Sequence, residues 1–227
     1  MRAVASLVVA LCVGGVAATQ GHDGRPFLVA VRLQLERTVV SEFLVTELEI
    51  EAERVWKPYG VRIEWTDAGA DEAPASDLAV DAILTERIDD ERTTTWSAVL
   101  GRTFLDRRSP GPLPIHLSFE ATERMLALRP YSRASTVIAV HEREMAWALG
   151  RVLAHELGHV LLGVVGHDET GLMRPVFRPE ELADRNRRPF RLACGSAGLL
   201  GERFRALTSP NRETAGLNQC LPAGSTR

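Results

Sequence analysis

His155, Glu156 and His159 are the residues of this 227-residue chain whose types and spacing could do chemistry. Histidines four positions apart on a helix emerge from one face, one turn from each other. Two neutral imidazole nitrogens can then approach a single zinc ion at about 2.0–2.1 Å. Glu156 projects at the edge of that face, within reach of water on the ion. Zinc lowers the pKa of such a water towards ~7 and polarises a nearby carbonyl. A carboxylate beside it can take a proton as the water attacks a peptide bond, then return it to the leaving amine. In a chain with six His, the bare H-E-x-x-H pattern arises by chance in roughly one random shuffle in eighty. Its surroundings say more. Val152-Leu153-Ala154 precede it and Val160-Leu161-Leu162 follow it. Three polar side chains buried in such a run without a metal would be stranded, at a cost of several kcal/mol.

Two histidines leave zinc short of protein ligands, so the next residues matter. After the helix come Gly163, His167 and the run Gly171-Leu172-Met173. Together with Ala154 to His159, this stretch resembles a zincin of the metzincin kind, more narrowly short exported bacterial proteins of matrixin or archaemetzincin type. The resemblance implies a zinc (Zn2+) metallopeptidase acting on peptides or proteins. It implies a zinc helix ended by glycine, a third histidine ligand beyond the turn, and a methionine in a tight turn beneath the metal. Those roles fall on Gly163, His167 and Met173. The spacing departs from the family's H-E-x-x-H-x-x-G-x-x-H. Positions 162 and 165 hold Leu162 and Val165, so the glycine is displaced by one residue and the histidine by two. Val164-Val165-Gly166 would have to return His167 to the metal, with Gly166 easing the bend. Asp168 and Glu169 remain alternatives, as does Glu180, which with Asp184 matches the E-x-x-x-D of a rival zincin scheme. A non-catalytic, secreted zinc-binding module of the same fold is the second functional reading. It has no need of Glu156.

The elements that must position these residues follow from periodicity. Residues 27–35 read as a strand, and 41–56 as a helix capped by Ser41 and stopped by Pro58-Tyr59-Gly60. Residues 61–65 and 78–84 alternate as strands. Residues 99–105 and 114–119 read as shorter strands and 121–128 as a short helix; the resemblance implies that substrate pairs with an exposed sheet edge, for which 99–105 is the first candidate and 115–119 the second. The long helix 142–162 is apolar nearly all round and expected to be buried. Helical stretches near 180–184 and 199–207 end the chain. This is an α/β (α+β) class, a mixed twisted sheet with two long helices, the second carrying the motif, which the resemblance makes zincin-like. We expect one domain over residues 19–227, with an N-terminal subdomain to 170 and a small, mostly helical C-terminal subdomain from 171. The resemblance further implies that residues after Met173, Phe177 among them, wall the site for the substrate side chain beyond the scissile bond.

Composition sets the remaining limits. Hydrophobic residues are 45%, charged residues 25% and the net charge is -3, an ordinary globular balance without the basic patch of a nucleic-acid surface. Met1-Arg2 followed by an uncharged run ending Val16-Ala17-Ala18 reads as a signal peptide over residues 1–18. The expected address is therefore secreted or periplasmic, without stable membrane insertion. Cys12 leaves with that segment, and Cys194 and Cys220 are expected to pair. No cysteine lies between Thr19 and the zinc helix, so no thiolate is expected to block the metal from that side. His22, His116 and His141 lack partners at ligand spacing, although His116 in a strand could line the cleft.

Overall fold

Alternating apolar residues build a five-stranded mixed sheet in the order β2-β1-β3-β5-β4. A computed structural model describes residues 25–36, 40–66, 75–88, 99–105, 113–128 and 138–208. The expected signal segment, His22 and Cys220 lie outside these residues. The strands are β1 (Phe27–Glu36), β2 (Val61–Thr66), β3 (Leu78–Thr85), β4 (Gly101–Thr103) and β5 (Leu113–Ser118). The helices are α1 (Glu42–Trp56), α2 (Phe119–Ala127), α3 (Ile138–Leu162), α4 (Pro179–Ala183) and α5 (Cys194–Thr208). β1, β2, β3 and β5 run parallel, while β4 closes one edge antiparallel to β5. The expected strand-helix-strand-strand opening and the α/β class are both present.

Local chemistry explains the boundaries. The Ser41 hydroxyl accepts from the Leu44 amide at 3.1 Å and starts α1. Ser118 does the same for α2, accepting from Ala121 at 3.2 Å. Phe119 therefore opens a helix where a continuing strand was expected. The edge strand is shorter than its expected 99–105 span, since regular pairing covers only Gly101 to Thr103. α5 begins five residues before its expected start. Gly195 and Gly198 weaken the helical signal there, and both would point a side chain into open space.

α1 and α3 pack against each other beside the sheet, α1 touching β2 and α3 touching β4 and β5. Gly150 lets them approach, because a Cβ there would meet the Leu48 carbonyl at 2.6 Å. Next to this crossing, Glu51 and Arg151 are buried completely. Arg151 Nε donates to Glu51 Oε1 at 2.8 Å, and Arg187 donates to Glu51 Oε2 at 2.6 Å. Arg151 also reaches the Leu182 carbonyl at 3.0 Å, so one carboxylate ties α1, α3 and the C-terminal segment together. That segment is further docked by the Leu192 amide, which donates to the Tyr59 hydroxyl at 2.7 Å. The Phe204 ring stacks on Phe27 at 4.2 Å. Among the described residues, no helix is long and apolar enough to cross a membrane.

Candidate metal centre

The helical repeat of α3 places His155 and His159 on one face, with their Nε2 atoms 3.2 Å apart. The His167 ring joins them, 5.3 Å from His155 and 4.9 Å from His159 between centroids. One nitrogen from each of the three lies within 4.8 Å of the others. His155 Nδ1 meets the Leu172 carbonyl at 2.7 Å, and His159 Nδ1 meets the Val164 carbonyl at 2.9 Å. A carbonyl only accepts, so each Nδ1 carries the proton and each Nε2 turns a lone pair inward. Facing lone pairs cannot hydrogen-bond to each other, whereas a cation between them would satisfy both. Two ligands of a tetrahedral zinc stand about 3.3 Å apart at ordinary Zn–N lengths, close to this separation. Burial pushes the His155 pKa down to about 4, helped by the neighbouring histidines and Arg174 and opposed by the Leu172 hydrogen bond. Burial likewise lowers His159. Neutral imidazole is the form a metal binds, and the ring nitrogens of His155, His159 and His167 are close enough to one another to hold a metal ion.

The path from His159 to His167 explains how the displaced spacing still closes. Gly163 takes φ 67°, where a side chain would be strained. Its amide bonds to the Val160 carbonyl at 3.2 Å, and the Val164 amide bonds to His159 at 3.3 Å. This is the Schellman stop, and it leaves the Val164 carbonyl aimed at the His159 ring. The second bend was expected at Gly166, but the next left-handed glycine is Gly171, with φ 80°. There a Cβ would meet the Arg191 carbonyl at 2.3 Å. The turn Gly171-Leu172-Met173-Arg174 is pinned to this strand of chain by Leu172 N donating to Arg191 O at 2.8 Å. Met173 is buried under α3, and a Cβ on Gly158 would lie 2.2 Å from its sulfur. The glycine inside the H-E-L-G-H motif is thus explained by the turn methionine beneath it. The alternative ligands do not join the cluster. Asp168 accepts from the Ser196 hydroxyl at 2.6 Å, Asp184 accepts from the Asn186 amide at 2.8 Å, and Glu169 and Glu180 are exposed.

Glu156 is buried between α3 and β4, only 6% exposed. Burial pushes its carboxyl up to about 7, while the Thr103 hydroxyl and the Arg102 charge pull it back. The Thr103 hydroxyl donates to Glu156 Oε2 at 2.6 Å. Gly101 makes room: a Cβ there would be 2.8 Å from both Glu156 Cγ and Oε1. β4 was expected from the sequence, but the contacts of Gly101 and Thr103 with Glu156 were not; a glycine inside a strand was the available signal. Phe177 lies edge-on to the His155 ring at 5.3 Å, with the Arg174 guanidinium stacked over it at 4.8 Å. His116 does not line the cleft. It pairs with Arg102 across the strands and meets Phe104 edge-on at 5.6 Å, on the face opposite Thr103. His141 stands 3.8 Å from Glu123 at the surface. Cys194 is exposed and makes no disulfide among the described residues.

No family model matches the chain, and no curated protein matches it. Solved structures similar to it include an archaemetzincin from Methanopyrus kandleri, at 16% identity and TM-score 0.43, covering 79% of this chain and 96% of that one. A zinc-dependent peptidase from Methanocorpusculum labreanum matches at 13% identity and TM-score 0.49, covering 76% of this chain and 99% of that one. Metalloproteinase-II from Bacteroides fragilis matches at 15% identity and TM-score 0.43, covering 78% of this chain and 53% of that one.

Proposed function

We propose that this chain is a zinc-dependent peptidase in which His155, His159 and His167 hold the metal and Glu156 is the general base. The observation that carries this reading is the convergence of three imidazoles, two of them on the helix that also carries the buried Glu156 carboxylate. Zinc, when bound, supplies Lewis acidity and lowers the pKa of water. The chain's own residues do the rest. The Leu172 and Val164 carbonyls keep the first two imidazoles oriented, a support that also raises ligand basicity. Glu156 accepts a proton at its carboxylate and returns it to the leaving amine. An extended peptide would pair with the outer edge of β4 by main-chain hydrogen bonds, with Phe177 walling the next side-chain site.

The test separates peptidase from zinc-binding module. Zinc-loaded protein is expected to cleave an unfolded protein or a mixed peptide library and to stop on chelation. Glu156→Gln is expected to retain one zinc while losing cleavage by about two to four orders of magnitude. Equal cleavage by wild type and Glu156→Gln would remove the general base from the proposal. Zinc binding without cleavage by either protein would favour the module.

A further inference from the structure

Thr103 stands where the edge of the sheet meets the buried carboxylate. β4 is the last strand of the sheet. Ser118 N donates to Leu100 O at 2.9 Å and Phe104 N donates to Pro114 O at 3.2 Å, so these alternate residues turn their main-chain groups towards β5. The main-chain groups of Gly101 and Thr103 therefore point to the outer edge. Side chains at 101 and 103 share the face towards α3. Position 101 has no side chain, which lets α3 close on β4, and Thr103 fills the contact with a hydroxyl 2.6 Å from Glu156 Oε2. Val152 Cγ1 presses on the same spot, 2.8 Å from where a Gly101 Cβ would lie. Without the hydroxyl, Oε2 of this buried carboxylate would lose the donor that fixes it, and rotation about the Glu156 side chain would be limited only by packing.

We propose that Thr103 is a positioning residue, whose hydroxyl pins the Glu156 carboxylate in the orientation needed for proton transfer. The proposal rests on the peptidase reading and adds to it the residue that aims the base. The acceptors of the Thr103 hydroxyl, Oε2 at 2.6 Å and the main-chain oxygen at 3.2 Å, both belong to Glu156, so Thr103 acts through Glu156. A charge-assisted O–H···O bond at this length is among the stronger ones a neutral side chain can offer. Serine would preserve it, and valine would keep the shape while removing it.

The experiment compares Thr103→Val and Thr103→Ser with wild type as full-length, zinc-loaded proteins. Kinetics use the best-cleaved member of a quenched-fluorescent peptide library, and a crystal structure is determined for each protein. Thr103→Val is expected to lower kcat roughly ten- to a hundredfold with KM held within about twofold. Zinc content and Tm are expected to match wild type, and Glu156 is expected to leave its place against β4. Thr103→Ser is expected to restore kcat to within about threefold and to return Glu156 to that place. Wild-type kcat in Thr103→Val, or a Glu156 carboxylate unmoved in its structure, overturns the proposal. A raised KM with unchanged kcat also overturns it, since Thr103 would then serve only the substrate strand. If wild type cleaves nothing, the peptidase reading falls by itself, and the crystal structures alone decide whether Thr103 fixes the carboxylate.

Discussion

At the scale of single residues, the division of labour follows from what each histidine leans on. His155 and His159 are buried, and main-chain carbonyls hold both. His167 is exposed and reaches the cluster from a loop. It is also the residue at which the chain departs most from the metzincin spacing that its sequence resembles. We predict that His167→Ala weakens zinc binding severely, by about tenfold or more, since a catalytic zinc usually keeps three protein ligands. Glu180→Ala is predicted to leave affinity unchanged, because that carboxylate lies in solvent. A zinc-competition titration of both variants ranks them, and the opposite ranking would transfer the third ligand to Glu180 on α4. The histidine pair and Glu156 were legible because helical spacing converts directly into a shared face. Thr103 was not, since no local pattern tells which edge-strand residue a buried helix will meet.

Secondary-structure elements fit here through glycines that yield space at contacts. Gly158 gives its volume to Met173, Gly101 to Glu156 and Gly150 to the back of α1. Gly158→Ala would set a methyl carbon against the Met173 sulfur at 2.2 Å and near the Trp56 ring. We predict a stability loss of about 1–3 kcal/mol, as for other overpacked cores, read from urea unfolding of the zinc-free protein. Gly158→Ala combined with Met173→Ala should recover part of that loss, and a Met173→Ala that worsens it would dissociate the two positions. Most elements could be read from the chain. Alternation gave the strands, Ser41 and Gly163 bounded two helices, and the apolar run gave a buried α3. Errors fell where one residue outweighed the pattern. Ser118 capped a helix out of a strand, and Gly195 and Gly198 hid the first turn of α5. The bend expected at Gly166 went to Gly171, where a left-handed φ and the approach of Arg191 together explain the glycine.

Over the whole molecule, the centre is assembled from distant parts of the chain. α3 contributes two imidazoles, but the Leu172 carbonyl that orients His155 belongs to a turn fastened to Arg191. The chain around Arg191 is fastened in turn by Tyr59, and Glu51 joins α1, α3 and Arg187 from beneath. None of this was visible in the sequence, where Glu51 and Arg187 look like ordinary surface charges on separate segments. Both oxygens of Glu51 are used, and the carboxylate is fully buried. Glu51→Ala therefore leaves the Arg151 charge uncompensated, a change that costs about 3–5 kcal/mol at comparable buried pairs. The Leu172 contact also makes metal affinity a property of the folded state. An unfolded chain offers imidazoles in either tautomer, with nothing to hold their lone pairs together. Zinc and folding are then linked by mass action, each raising the occupancy of the other. We predict that zinc release, followed with a colorimetric chelator, and loss of helix, followed by circular dichroism, share one midpoint in urea. Glu51→Ala should move both midpoints down together. Release well below the unfolding midpoint would show a centre that opens by itself, while a shared midpoint means the metal leaves only when the C-terminal docking gives way.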